Sequence, residues 1–454
     1  MALGVFLKFA PRPYQITQDF RDIQTALGEE DFQVVAEHLA DAAEHLPWWD
    51  ELWESAGNYA IQAGDYELAQ AALEQAEERE ALTQAGQLAL GDVYRALGKN
   101  AQTEAAWSGI DGSSQASRRL SLLHREMGDI PATIIDWRNF LALSPDSDEV
   151  EAHYQLGLLL AAHDPTQALP HLEIASSQYP TAQVLLQALN EVPTDTEPAY
   201  YYMVSGQALA SVNEWFLAEH AFQQAVNLRD DYAESWAYLG ESLQHMEEND
   251  QEPLTALEKA ITLNPEALSA NMFLGLYWQR LGGHEKALEY FETAAELKTD
   301  LPEVYVAQGQ TLAALGKLSD AEKMYLSAIA QSGQEVEYYH LLAKFCVEFH
   351  YKVREVGLPA ARQALWLGGE TPASLDTLGL VLFDLNDEFN AERLLLRALD
   401  DDPSYTLAHL HLGMVYLYQE ENIRAHHHLK QALAFASDPA VVDHAQHLLS
   451  YFIP

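Results

Sequence analysis

Few residues in this chain could carry chemistry, and their spacing is poor for it. Histidine occurs 18 times and cysteine once, at Cys346. Seven histidines gather near the C-terminal end: His409, His411, His426, His427, His428, His444 and His447. A structural metal needs three or four ligands converging on one point. His444 and His447 share a helical face, but consecutive histidines on a helix point in different directions, and no second cysteine assists. No metal site and no cofactor is expected. The phosphate-loop pattern Gly-x-x-x-x-Gly-Lys-Ser/Thr, Gly-x-Gly-x-x-Gly, His-Glu-x-x-His and Gly-x-Ser-x-Gly are absent. Cys346 falls at an inward helical position and reads as a structural thiol. The chain is therefore expected not to be an enzyme. One basic island remains: Arg95, Arg118, Arg119 and Arg125. Arginine on an open face can grip a carboxylate with two parallel hydrogen bonds. Asp92, Glu126 and Asp129 lie close in sequence, so local salt bridges compete for the same guanidinium groups.

The elements that must position these groups are helical. Apolar residues make up 48% of the 454, so the chain can bury a large interior. Alanine and leucine dominate, and alternating valine-rich runs are missing. Acidic residues number 69 against 25 basic ones, a net charge of -44. That field repels phosphate backbones and anionic lipid heads. Nucleic acid is not expected as a partner, nor is direct membrane insertion, whereas a basic protein segment is permitted. The same charge also serves solubility or high salt. One cysteine allows no internal disulfide, which fits a reducing compartment, and a cytoplasmic location is expected. The apolar run Ala2 to Leu7 is too short for a signal peptide.

Spacing reveals the architecture. Small residues recur in mid-helix at Gly57, Gly91, Ser121, Gly157, Gly206, Gly240, Gly275, Gly309, Ala343, Gly379 and Gly413, and five of the ten intervals equal 34. A second small position follows about twelve residues later (Ala69, Ala218, Ala287, Ala321, Ala391, Ala425). A third comes seven after that (Ala76, Ala225, Ala294, Ala328, Ala398, Ala432). Between them sits a bulky residue: Leu73, Phe222, Phe291, Tyr325, Leu395 or Leu429, expected to fill the space between neighbouring units. Gly64, Gly98, Gly128, Gly282 and Gly316 mark turns inside each pair, and Pro47, Pro145, Pro180, Pro265 and Pro403 close several units.

These positions resemble the tetratricopeptide repeat, with its W-x2-L-G-x2-Y opening, A-x3-F middle and closing proline. Trp236, Leu239 and Gly240 match the opening, Ala218 with Phe222 and Ala287 with Phe291 the middle, and Pro403 after Ala398 the end. The resemblance covers roughly residues 50 to 438, with a degenerate first unit near 16 to 47. It implies an all-α, right-handed superhelical solenoid of about eleven or twelve antiparallel helix pairs. The expected organisation is an N-terminal arm over 1–192 (units near 50–83, 84–113, 114–147 and 150–181, with a short extra helix over 183–190). A linker or elbow follows at 193–198, then a C-terminal array over 199–438 and a capping helix over 439–454. That last segment is amphipathic, with Val441, Val442, Ala445, Leu448, Leu449 and Phe452 on one face, and a solenoid's last unit needs such a cover. The longer turns at Glu247 to Pro253 and Tyr351 to Pro359 read as surface insertions.

The resemblance also implies a function. First helices of this family line a concave groove that receives a partner's peptide or helix. Carried over, the groove positions include Tyr154, Leu158, Tyr200, Met203, Gln207, Met272, Leu276 and Arg280, a mixture suited to adaptable contact. Arg95, Arg118 and Arg125 could grip a carboxylate there. The family's chaperone-tail pocket is not matched, since Glu54 precedes Asn58 and Ala89 follows. The asparagine ladder of its sugar-transferring members has only Asn58. Trp53 is placed in the core, with Trp48 and Trp49 stapling the first unit. The expectation is a non-enzymatic scaffold or adaptor for a protein partner. The alternatives are a recruiting module of an enzyme whose catalytic part is not in this chain, and a self-assembling subunit.

Overall fold

The computed structural model describes residues 14–144, 149–193, 195–246, 251–298 and 300–450. Among them lie 26 α-helices and no strand. Twenty-four form twelve antiparallel pairs, from Tyr14–Glu29 with Phe32–His45 to Thr406–Tyr418 with Asn422–Phe435; Pro180–Asn190 and Pro439–Ser450 stand singly. The chain divides into two compact units, Met1–Arg229 and Asp230–Pro454.

Several helix starts are set by short polar side chains that satisfy otherwise orphaned amides. Asp65 Oδ1 accepts the Leu68 amide at 2.9 Å, and Thr83 Oγ1 accepts that of Gly86 at 3.1 Å. Inside most of the described pairs the reversal uses a residue with positive φ. The five expected glycines take it, from φ 71° at Gly98 to 80° at Gly64. Other pairs place Glu30, Asn213, His350, Asn386 and Glu420 in that region, which explains why a glycine count alone misses their turns.

The repeating small residue has a direct cause. A Cβ built on Gly275 would lie 2.4 Å from Phe291 Cε1, and one on Gly206 would lie 2.6 Å from Phe222 Cε1. Leu73, Leu172, Leu257 and Leu429 press in the same way on Gly57, Gly157, Gly240 and Gly413, and the Trp107 indole on Gly91. This adds to the expected role of the bulky position: it fills the notch of its own pair as well as packing toward the next, Leu73 with Leu90 and Val93 and Phe291 with Ala307. Phe222, Phe291, Leu73 and Leu429 are fully buried, as are the flanking alanines Ala69, Ala76, Ala218 and Ala225.

The irregular segments pack more than their composition suggests. The extra helix spans Pro180–Asn190, beginning at the proline expected to close the preceding unit. The pair Pro198–Ser211 and Trp215–Leu228 belongs to the first unit, so the 193–198 elbow is not where the compact units divide. Ser205 Oγ donates to the Ala161 carbonyl at 2.5 Å and the Tyr202 hydroxyl to that of His163 at 2.7 Å, locking this pair to the one before it. The Tyr351 to Pro359 insertion is not a surface loop. Val353–Gly357 forms a π-helical turn with Val353 and Gly357 buried, and a Cβ on Gly357 would meet that of Cys346 at 2.9 Å. Trp49 stacks on Phe20 at 5.8 Å and Trp53 is buried, while Trp48 is exposed. Pro145, residues 247–250 of the acidic turn, Thr194 and Phe452 lie outside the described residues.

The final helix covers the last pair. Ala445 is buried against Leu410, Leu429 and Ala432, with Val441, Leu448 and Leu449 packed around them. Deleting residues 439–454 should lower the melting temperature and promote aggregation; an unchanged, monomeric melt would reject the capping role. Gly275→Ala tests the notch. In an exposed helix that change gains about 1 kcal/mol of helix propensity. Here the buried Phe291 ring cannot retreat, and overpacking costs roughly 1–3 kcal/mol. A net loss of stability is expected on denaturant titration, and a gain would contradict the close approach.

Candidate partner-binding surfaces

In the first unit the basic island is engaged by its own chain. Arg95 pairs with Glu126. Arg119 makes two bonds to Asp92, at 2.8 and 3.0 Å, Arg118 meets Glu151 at 2.8 Å, and Arg125 reaches Gln155 and, at 3.4 Å, Glu214. These contacts tie helix Gln84–Ala96 to Ser114–Glu126, and that helix to Glu149–His163. Side chains of other repeats thus engage Arg95, Arg118 and Arg125, the residues expected to hold a partner's carboxylate. Glu54 acts similarly, accepting the Thr83 amide and hydroxyl at 2.8 and 2.5 Å.

The expected groove residues separate by burial. Leu158 and Met203 are 1% and 3% exposed and belong to the core, because the helices bearing them are covered on more sides than a one-face pattern allows. Tyr154 stacks on Tyr179 at 4.0 Å and receives the Thr181 hydroxyl at 2.8 Å; Gln207 is half-buried and Tyr200 exposed. Nearby, a cavity of about 540 Å³ opens between Asp164, Pro165, Leu189, Pro193, Tyr201 and Tyr202. Burial pushes both tyrosine hydroxyls above their ordinary pKa, and the Asp164 charge adds to it. Burial would raise Asp164 too, but hydrogen bonds from Thr166 and Gln167 hold its carboxyl below the usual range.

In the second unit Met272 lines a cavity of about 670 Å³, between the start of helix Ala233–Gln244 and that of Leu268–Arg280. Tyr232, Tyr238 and Phe273 form its aromatic wall, and Asp231, Glu234 and Glu266 its acidic border. Leu276 and Met272 are both partly buried against the cluster of Ala287, Phe291 and Ala307. Arg280 is spent internally, donating to the Gln244 carbonyl at 3.0 Å and its side-chain oxygen at 2.7 Å. The register rule finds Met272 but misses the rest of this wall, because Tyr238 and Phe273 stand two residues before Gly240 and Gly275, a helix position the rule does not include, and Tyr232 precedes its helix.

The histidines serve packing. His153 Nδ1 faces His171 Nδ1 at 2.7 Å, and His409 Nδ1 faces His428 Nδ1 at 3.0 Å. Each pair shares one proton between its Nδ1 atoms, and burial disfavours the charged form of all four rings. Burial, then the partner histidine, depresses His171 and His428 to about 4. His411 Nδ1 meets the fully buried Asp376 at 2.6 Å. Cys346 is buried, which pushes its thiol up to about 12 and makes it a poor nucleophile. Among the described residues, the group able to bring three metal-capable atoms within 4.8 Å of one another is Asp19, His38 and Asp41, on the first pair. None of the seven C-terminal histidines belongs to it.

Comparison with known proteins agrees with the repeat. A tetratricopeptide repeat model matches residues 55–107 and 254–302, one stretch in each unit. The chain is a tetratricopeptide repeat protein. The human protein O-mannosyl-transferase TMTC1 is 24% identical over 172 residues, 36% of this chain. The match covers 19% of that relative's length, so this chain spans about a fifth of it. Among solved structures, yeast Tom70 aligns over 96% of both chains at 15% identity with a TM-score of 0.44. A tetratricopeptide repeat protein from Parabacteroides merdae aligns over 56% of this chain and 100% of its own at 14% identity, with a TM-score of 0.46.

The histidine pairs predict an acid-sensitive fold. An unfolded histidine has a pKa near 6.5. Since His171 and His428 titrate lower in the folded state, their contribution is complete above that value and is lost as pH falls toward 4. The variant His171→Gln/His428→Gln should lose less stability than the parent between pH 6.5 and 4 in parallel melts. Equal losses would show that these rings are not held neutral.

Proposed function

We propose that this chain is a non-enzymatic scaffold or adaptor that holds a segment of another protein along the open ends of its first helices. Tetratricopeptide repeats make protein-interaction scaffolds, and the finer reading rests on one observation: the 670 Å³ cavity at Met272, walled by aromatic side chains and bordered by carboxylates. Sites of that size and composition capture side chains of a partner. A basic protein segment suits the net charge of -44. Nucleic acid does not, and among the described residues no helix is long and apolar enough to cross a membrane. The lone buried thiol fits a reducing, cytoplasmic setting. Tyr154, Tyr200 and Gln207 supply a second contact surface in the first unit.

Two observations favour other readings. The partial likeness to an O-mannosyl-transferase suits a recruiting module attached to an enzyme; a native gene extending into a catalytic motif would establish it. Exposed Phe389, Tyr418 and Ile423 in the last pairs suit self-association; elution as an oligomer at micromolar concentration would favour it.

Affinity purification from the source cell with mass spectrometry tests the adaptor directly. The parent should recover a defined, near-stoichiometric protein, and Tyr200→Ala or Met272→Ala should reduce its yield, the exposed Tyr200 without altering the melt. No such protein, or full retention by both variants, would refute the proposal.

A further inference from the structure

The cavity at Met272 has an acidic border. Asp231, Glu234 and Glu266 border it, and no lysine or arginine lines it. Glu234 stands in the first turn of helix Ala233–Gln244, half-buried, where the helix N-terminus favours an anion. Among the described residues nothing hydrogen-bonds or ion-pairs with its carboxylate. Burial accordingly lifts its pKa above the ordinary glutamate value. The chain has little to offer in compensation, since acids outnumber bases by 69 to 25. One helical turn on from it, the Tyr238 ring meets that of Phe273 edge to face, with centroids 5.1 Å apart and planes at 70°. Aromatic faces and a desolvated carboxylate around one opening are the two elements that recognise a cation. A guanidinium suits the combination best, because it is planar, stacks on rings and presents parallel donors to a carboxylate.

We propose that this cavity is the receptor for a single arginine side chain of the partner, with Glu234 as counter-ion and Tyr238 and Phe273 as walls. The proposal rests on the adaptor reading for its biological setting, but its chemistry is tested without the partner. The diffuse negative field of the whole chain would draw any basic peptide to the surface. A docked side chain differs in being local, saturable and dependent on Glu234.

The sequence has 7 methionines, so carbon-13 methyl labelling of methionine gives a sparse spectrum in which Met272 reports from the cavity wall. Its resonance is assigned by its loss in Met272→Leu. Titration with N-acetyl-arginine methylamide at physiological salt should shift it saturably, and the neutral citrulline analogue should not. Glu234→Gln should weaken the arginine complex roughly tenfold, the worth of one charge-assisted bond. Glu285→Gln, on an exposed site outside the cavity, should leave it unchanged. Absence of a saturable shift, an equal response to citrulline, or equal weakening by Glu285→Gln would each overturn the proposal. The arginine-against-citrulline comparison uses the unaltered protein, so a misfolded variant cannot obscure it. If these tests fail while a partner is still captured from cells, the adaptor stands and only the arginine site falls. If the site saturates and no partner is captured, the arginine receptor stands and the adaptor reading falls.

Discussion

Everything in this molecule depends on how closely two helices of a pair can approach. At Gly275, Gly206 and their equivalents the second helix sets a large side chain where a Cβ would stand. The contact works only because three positions agree: no side chain on the first helix, a large one on the second, and alanines on either side of it. A single pair buries too little to fold alone, and stacking supplies the rest. The 34-residue period is the length of chain needed to make one such notch and return to the next.

That arrangement divides the labour between apolar and polar groups. The notch fixes each pair internally, while much of the polar pairing runs between pairs: Arg119 to Asp92, Arg118 to Glu151, Thr83 to Glu54, and Arg280 to Gln244. In so acidic a chain many of the cations are consumed this way. What remains open in the second unit is the turn region ahead of two first helices, where neighbouring pairs leave a gap that no lysine or arginine lines. The cavity at Met272 therefore combines aromatic walls with a border of negative charge.

The helical repeat is legible in the sequence because it is written in small residues, which have few other reasons to recur every 34 positions. The site is less so. Register points to Met272, yet Leu158 and Met203 obey the same register rule and are buried, since extra packing around Pro180–Asn190 and Pro198–Ser211 covers faces that regular repeats leave open. Two acidic partners of the arginines, Asp92 and Glu126, are legible in the sequence as competitors, whereas Glu151 and Glu214 lie 33 and 89 residues from Arg118 and Arg125, distances at which local sequence gives no warning. Tyr238 and Phe273 share a place two residues before Gly240 and Gly275 that the register rule does not include, and Glu234 is set apart only by the cavity between the starts of two first helices. The π-helical turn at Val353–Gly357 resembles a loop in sequence because two extra residues in a turn look alike whether they project or fold inward.

The most direct test of this account is a double-mutant cycle on Gly206 and Phe222 by chemical denaturation. If the ring fills the glycine's notch, Phe222→Leu should relieve much of the damage done by Gly206→Ala. The double variant should then be more stable than the sum of the single losses predicts, by roughly 1 kcal/mol or more. Simple additivity would mean that the two residues do not press on one another, and the packing rule on which the repeat rests would be wrong.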